Sequence, residues 1–489
     1  MNHAIRKVGI VIVLLFVAIA AQLTYLQLVR ATSLDKDPNN IRVTTRDLTQ
    51  NRGDIVSEDG SVLARSVPVK DQYKYQREYP LAGLFSGVVG YQSITLGNAG
   101  VESVYNSELL GRDVKLQTQS LADLLNSHNP TGTVVLTLSR TAQQAAATAL
   151  RGRRGSVVVL DVKTGGVVAM FSNPNYDPNP LASHHTVAAV KYSASLNANP
   201  TKPNLLRAYR ERYPAGSTFK VLTTAVALDD GVVNPQTMFP ELTNLTPPQS
   251  NKPLANFGNE RCGGTLTQSF TVSCNTTFAR IGLTLGDRLA QGITAFGINE
   301  PPPPIDLPDP ASSIGPVNGT FKNNMPFFAL GAIGQGDVAV TPLQMALVAE
   351  SVADDGEMMV PHVLDEVRAS DGTVVRRYDP KVWRTAMTPG TASILNQFMR
   401  NVVADPNGTG TAARIPGITV AGKTGTAEAP PGPPHAWFIA FAPAEAPRYA
   451  IAVIVEHGGD QGSEATGGRV AAPVAAEVLT SLLKGPASG

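Results

Sequence analysis

The sequence has no excess of either charge. Its 489 residues carry 40 Lys and Arg against 39 Asp and Glu. A nucleic-acid binder would normally show a basic excess or stripe, so nucleic acid is not an expected partner. Histidine is scarce, with seven in all, and none stands at metal-ligand spacing. His184 and His185 are neighbours, whose side chains point apart on regular structure. H-E-x-x-H, C-x-x-C and Walker-type glycine loops are all missing. The chain is therefore expected to use no metal and no cofactor. Cysteine is down to two, Cys262 and Cys274. Two buried thiols or one disulfide remain open, and an extracytoplasmic location favours the disulfide. Closing such a loop would stabilise by ~3 kcal/mol if unstrained.

One long apolar run is present. Val8 to Ala21 has no strongly polar residue, and the stretch continues uncharged to Val29. About 22 residues suffice to cross a bilayer as a helix. Arg6 and Lys7 precede it, so residues 1–7 are expected in the cytoplasm and the chain after Arg30 outside the membrane. The length and the lack of a clear small-x-small site after the run favour an uncleaved anchor (8–29) over a signal peptide. The length allows two or three domains with at least one large core.

Residues 30–150 are polar, with short strand-like pieces, and are read as a non-catalytic, mainly β or mixed pedestal or interaction domain. In 51–66, DIV and SVLA bracket Glu-Asp-Gly, a hairpin signal. GNAGVESVYNSELLGRD (97–113) predicts a helix through its middle. The character changes near Gln143. TAQQAAATALRG (141–152) is strongly helix-forming. The two β-branched runs of 155–172 flank Lys163-Thr-Gly165-Gly and predict a hairpin. Helices are expected over 214–231, 341–356 and 388–403, the last two with Thr at the N-cap and Pro at the first turn. Strands follow at 435–443 and 448–458, then a closing helix at 471–484. PPPPIDLPDP (301–310) reads as a rigid surface loop. Residues 151–485 are thus expected to form an α+β domain, an antiparallel sheet covered by helices from both chain ends and from the middle.

Three short motifs carry chemistry. They are Ser217-Thr-Phe-Lys220, Ser273-Cys-Asn275 and Lys423-Thr424-Gly425-Thr426. Each alone is weak. Ser-x-Asn is usually a turn or a cap, and Lys-Thr-Gly is usually a hairpin turn, as it should be at 163–165. In this order, each on the expected element, they form the S-x-x-K, S-x-N, K-T-G set of penicillin-recognising serine enzymes. Cys274 stands between the two residues of the second motif that do chemistry, so it puts little in doubt. Residues i and i+3 share a helix face, which brings the Ser217 hydroxyl within reach of the Lys220 amine. That amine acts as a base only if its pKa falls well below ~10.4. Burial and a second cation such as Lys423 both push it down. Ser273 is then placed to relay the proton, and Asn275 to offer its amide to substrate backbone and to Lys220. Lys423, Thr424 and Thr426 suit a substrate carboxylate, and Gly425 lets substrate lie against the strand.

The chain resembles the class B penicillin-binding proteins, most closely those of the actinobacterial PbpA type. Arg52-Gly53 with Asp59-Gly60 and Leu63-Ala64, then Gly100 to Gly111, are similar to the family's non-catalytic motifs. Tyr176 to Asn179, Gly334-Gln335-Gly336 and Thr341-Pro342 are similar to transpeptidase landmarks. The resemblance implies a five-stranded antiparallel sheet flanked by helices, plus an all-helical subdomain. It implies peptidoglycan D,D-transpeptidation through a serine acyl-enzyme, with a D-Ala-D-Ala stem peptide as donor, an amine on a second stem as acceptor, and β-lactams as mimics of the donor. It also implies an oxyanion hole from the Ser217 and Thr426 N–H groups, a partner polymerase of the SEDS glycosyltransferase type, and division or elongation proteins. Too few residues precede Gly152 for a glycosyltransferase domain, and no deacylating Glu-x-x-Leu-Asn is found. A D,D-carboxypeptidase with the same site and a silent β-lactam sensor are the alternatives.

Overall fold

The structure is a computed structural model and describes residues 2–30, 47–113, 116 and 131–485. The first helix, Asn2–Tyr25, contains an apolar span from Arg6 to Tyr25, long enough to cross a membrane and unburied by the rest of the chain. It stops four residues short of the expected limit at Val29, and a wider helical turn, Leu26–Arg30, follows.

The large unit is built on a five-stranded sheet. Its order is Ala421–Ala429, Gly432–Ala442, Tyr449–Val455, Gly155–Asp161, Val167–Asn173, every neighbour antiparallel. The three central strands are apolar on both faces, as strands covered on both sides must be. Val157, Val453 and Phe438 lie in one core with the helices Arg140–Leu150 and Ala472–Lys484. Val158, Ile454 and Ile439 lie in the other, with Lys220–Asp229, Pro342–Ala353 and Pro389–Ala404. The expected helix starts are present. Thr341 and Thr388 cap their helices through Gln344 N and Thr391 N, each with Pro in the first turn. Lys163-Thr-Gly165 is a hairpin loop, with Lys163 paired to Asp354.

The smaller sheet has six strands, in the order Val374–Arg377, Leu364–Arg368, Thr133–Leu136, Ile55–Val56, Val62–Pro68, Tyr75–Glu78. Its first two strands come from the C-terminal half of the chain. Leu364–Arg368 pairs with Thr133–Leu136 across more than two hundred residues of sequence, and Val374–Arg377 pairs with Leu364–Arg368 at the edge. The helix expected through 97–113 is two short turns, Val101–Val104 and Asn106–Leu109, broken at Tyr105. At the break Tyr105 leaves the helical region, with φ of −101° and ψ of 27°, and its hydroxyl donates to the distant Asp306 carboxylate.

Asp306 also corrects the reading of 301–310 as a surface loop. Its carboxylate accepts the backbone N–H of Val363 at 2.6 Å and of Leu364 at 3.0 Å. Ile305 and Leu307 are buried on either side of it. The proline-rich segment braces the strand Leu364–Arg368 and Tyr105 against the Tyr209–Arg210 loop, whose Arg210 donates to Pro308 O and whose Tyr209 O accepts from Ala311 N. The prolines of the segment hold it extended without a ladder to order it.

Candidate active site

Ser217 stands on a 3₁₀ turn, Gly216–Phe219, that runs into the helix Lys220–Asp229. In a 3₁₀ turn residues i and i+3 eclipse more closely than in an α-helix. Gly216 takes φ of 53°, and a Cβ there would run into the Thr426 carbonyl of the edge strand. The turn is tied down by Thr218 Oγ1 donating to Ala215 O at 2.7 Å and by Trp437 Nε1 donating to Pro214 O at 2.9 Å. Trp437 went unnoticed in the sequence, since an inward residue of an apolar strand gives no signal of what it holds. Ser217 is half-buried and Lys220 fully buried.

The second motif sits between two helices. Leu266–Thr271 begins in a capping box between Thr265 and Gln268. Asn275–Leu285 begins after Cys274, its Thr276 N–H donating to Asn256 Oδ1 at 2.9 Å. The tight link forces Ser273 to φ of 61°. A serine there costs ~1–3 kcal/mol. The turn is held by Ser273 N donating to Phe270 O at 3.1 Å, and by Cys274 N donating to Ser269 O at 2.8 Å. Cys274 is also bonded to Cys262, in the strand Cys262–Thr265. The sequence had left disulfide and thiols open, and the structure has the disulfide. Reducing it removes a covalent brace one residue from Ser273. Reduced protein is expected to acylate with penicillin ~10-fold more slowly, short of the ~10²-fold loss a ~1 Å displacement can cause. An unchanged rate after thiol labelling has confirmed reduction would contradict this.

The third motif lies on the strand Ala421–Ala429, at the edge of the sheet as expected. Gly425 packs on Thr218 and Ala215, where a Cβ would approach Thr218 Cγ2 to 2.9 Å and Ala215 O to 3.0 Å. This glycine is therefore needed first for packing the strand on the nucleophile turn. Thr424 is nearly buried, and its hydroxyl is 2.6 Å from that of Thr409, a partner the sequence did not suggest. Thr426 is half-buried.

These elements bring the motif residues together. Lys220 Nζ donates to Ser273 O at 2.7 Å, Ser273 Oγ at 3.2 Å and Asn275 Oδ1 at 2.8 Å. Lys423 Nζ donates to the same Ser273 Oγ at 2.8 Å and to Thr424 O at 3.0 Å. Asn275 Nδ2 donates to Ala255 O at 2.9 Å, so half of the donating capacity expected for substrate is spent inside the protein. Lys220 reaches its partners in the second motif rather than the Ser217 hydroxyl, its expected partner. Phe278 and Phe270 lie 5.3 and 5.7 Å from the two ammonium groups. Burial, and then the Lys423 charge, push the Lys220 amine well below its ordinary range. Burial alone pushes Lys423 down to about 7. Two buried lysines that meet at one hydroxyl cannot both hold a proton cheaply. A Lys220 that has lost one proton keeps two N–H donors and can accept from the Ser273 hydroxyl instead of donating to it.

Residues 155–480 match the penicillin-binding protein transpeptidase domain, and residues 52–135 match the penicillin-binding protein A dimerisation domain. The chain is 39% identical to the peptidoglycan D,D-transpeptidase PbpA of Mycolicibacterium smegmatis, over 99% of each. It is a class B penicillin-binding protein of the PbpA type. Penicillin-binding protein A from M. tuberculosis, solved as its ceftriaxone acyl-enzyme, superposes with a TM-score of 0.83 at 34% identity, over 90% of this chain and all of that one. Its penicillin G acyl-enzyme superposes at 0.82 and 35% identity, over 89% and 100%. The five-stranded sheet flanked by helices that the sequence implied is the fold of this family.

Proposed function

We propose that this penicillin-binding protein is a peptidoglycan D,D-transpeptidase. The observation that carries the reading is the meeting of Lys220 and Lys423 at Ser273 Oγ, beside the turn that bears Ser217. Ser217 Oγ attacks the carbonyl of the penultimate D-Ala of a stem peptide, and neutral Lys220 takes the hydroxyl proton. The Ser217 and Thr426 N–H groups receive the oxyanion. Ser273 passes the proton on to the departing D-Ala amine, and the C–N bond breaks to leave the acyl-enzyme. An amine of a second stem then attacks the ester, loses its proton back along the same route and frees Ser217. Lys423, Thr424 and Thr426 hold the donor carboxylate, and Asn275 orients the donor backbone with its remaining N–H. β-Lactams acylate the same serine.

The apolar helix Asn2–Tyr25 serves as the anchor, with the short basic start in the cytoplasm and the catalytic unit outside. Strand donors of glycan would come from a separate polymerase of the SEDS type, in company with division or elongation proteins. Residues 30–150 and 151–485 are the interaction and catalytic domains of this account. The test is a thioester donor supplied with a D-amino acid. Aminolysis supports transpeptidation, hydrolysis alone supports the carboxypeptidase, and neither supports a sensor.

The lysine pair predicts a bell-shaped pH profile for the second-order acylation rate. Protonated Lys220 cannot accept the serine proton, so the rate falls as pH falls through its depressed pKa. Neutral Lys423 loses its hold on a carboxylate, so the rate falls again as pH rises above about 7. Lys423→Gln removes the charge that helps to lower Lys220, and the acid limb is expected to move to higher pH. An unmoved acid limb would contradict the coupling.

A further inference from the structure

We infer that Gln335 is a latch on the edge strand, a residue that holds the Thr426 carbonyl until an acyl donor with a backbone-like N–H displaces it. The inference rests on the acyl-transfer reading above and concerns which donors enter most readily.

The strand Ala421–Ala429 pairs with Gly432–Ala442 along one side only. Its other side is paired with no strand among the described residues, and an extended peptide can add there as a further strand. Two carbonyls on that side, two residues apart, are met by side-chain donors. Lys423 Nζ donates to Thr424 O at 3.0 Å, and Gln335 Nε2 donates to Thr426 O at 3.5 Å. The common two-residue step is what an outward-facing strand edge requires. The Thr426 carbonyl is therefore an acceptor on the path of an incoming peptide, and Gln335 occupies it.

The loop that bears Gln335 has no freedom to withdraw as a whole. Gly334 N donates to Gly331 O at 2.9 Å and Gln335 N to Leu330 O at 3.0 Å, closing the helix Met325–Gly331. Gly334 and Gly336 take φ of 76° and 71°. Gly216 N donates to Gly334 O at 2.8 Å, and a Cβ on Gly334 would overlap the Gly216 carbonyl. Loop and nucleophile turn are locked backbone to backbone. The half-buried side chain of Gln335 is the part that can swing. At 3.5 Å its bond is long and easily exchanged for a shorter one.

The test uses the full-length chain in detergent and two β-lactams that differ at this position. Penicillin G carries an amide N–H beside its reactive carbonyl, as a stem peptide does, and imipenem carries a hydroxyethyl group instead. Second-order acylation rates are measured for both, with Ser217 labelling followed by mass spectrometry. Gln335→Met keeps the length and removes the donor, and Gln335→Ala removes the side chain. Both are expected to raise the penicillin G to imipenem rate ratio by about threefold, the worth of one modest neutral hydrogen bond. Because the ratio is taken within one preparation, a misfolded fraction cancels. An unchanged or lowered ratio in both variants overturns the latch while leaving acyl transfer standing. Failure of both β-lactams to label Ser217 in the unaltered chain overturns the acyl-transfer reading and the latch with it.

Discussion

Replacing Lys220 by alanine is expected to lower the penicillin acylation rate ~10²–10⁴-fold, the span that a positioned general base contributes. The expectation rests on the environment of the amine. Lys220 is fully buried, surrounded by Ser273 O, Ser273 Oγ and Asn275 Oδ1, with Lys423 as the second cation at the shared hydroxyl. In the proposed mechanism its side chain accepts the serine proton, and its hydrogen bonds position Ser273 and Asn275. Lys220→Arg separates these roles, since a guanidinium keeps N–H donors for Ser273 and Asn275 but does not give up its proton. If the lysine is the base, Arg and Ala fall together. If it only props the second motif, Arg retains most of the rate. Near-normal acylation in both would remove Lys220 from the mechanism. Melting temperatures read alongside show whether the fold survives in each variant.

The second large effect lies far from the cleft. Glu102 is fully buried, and its carboxylate accepts from Arg52 Nε and Arg77 Nε, both at 2.6 Å, and from the Tyr79 hydroxyl at 3.2 Å. Arg52 and Arg77 are themselves buried. Burial pushes the Glu102 carboxyl up, and the two guanidinium groups outweigh it, so the net pKa is lowered. Glu102→Gln would leave two guanidinium groups without their counter-charge. Breaking a buried pair from one side costs ~3–5 kcal/mol, which lowers the melting temperature of the unit by roughly 6–20 °C. The sign with pH is fixed by the lowered pKa. The stabilisation is present above the ordinary glutamate range and is lost as pH falls through the folded value. A Glu102→Gln chain that melts within ~1 °C of the parent would show that the triad contributes little to stability.

The two results separate what the sequence discloses from what it conceals. The chemical residues were legible because spacing along one helix turn, or along one strand, is a local property. Ser217 with Lys220, Ser273 with Asn275, and Lys423 with Gly425 each lie within four residues. The decoy at Lys163 was legible for the same reason, since β-branched runs on both sides make it a hairpin loop. The hairpin at 55–68 and the capped helices at Pro342 and Pro389 were equally local. Asp306 was hidden because its partners, Tyr105, Val363 and Leu364, lie far off in the sequence. A proline-rich loop reads the same whether its carboxylate faces solvent or the backbone of another strand. The strands Leu364–Arg368 and Val374–Arg377 were hidden as members of the smaller sheet, because pairing to Thr133–Leu136 is decided by tertiary packing. Arg52 and Glu102 stood within recognised motifs, yet nothing local tells a buried triad from solvated charge. Of the three acceptors of Lys220, the Ser273 hydroxyl and Asn275 were expected and the Ser273 carbonyl was not. That carbonyl belongs to a turn in which Ser273 adopts φ of 61°, a conformation sequence preference argues against.

The most direct test is mass spectrometry of the intact chain and its peptides after incubation with labelled penicillin. The account predicts one adduct, carried by Ser217 and absent from Ser217→Ala. A label on any other residue, or an unlabelled chain whose melting curve shows it to be folded, would contradict it.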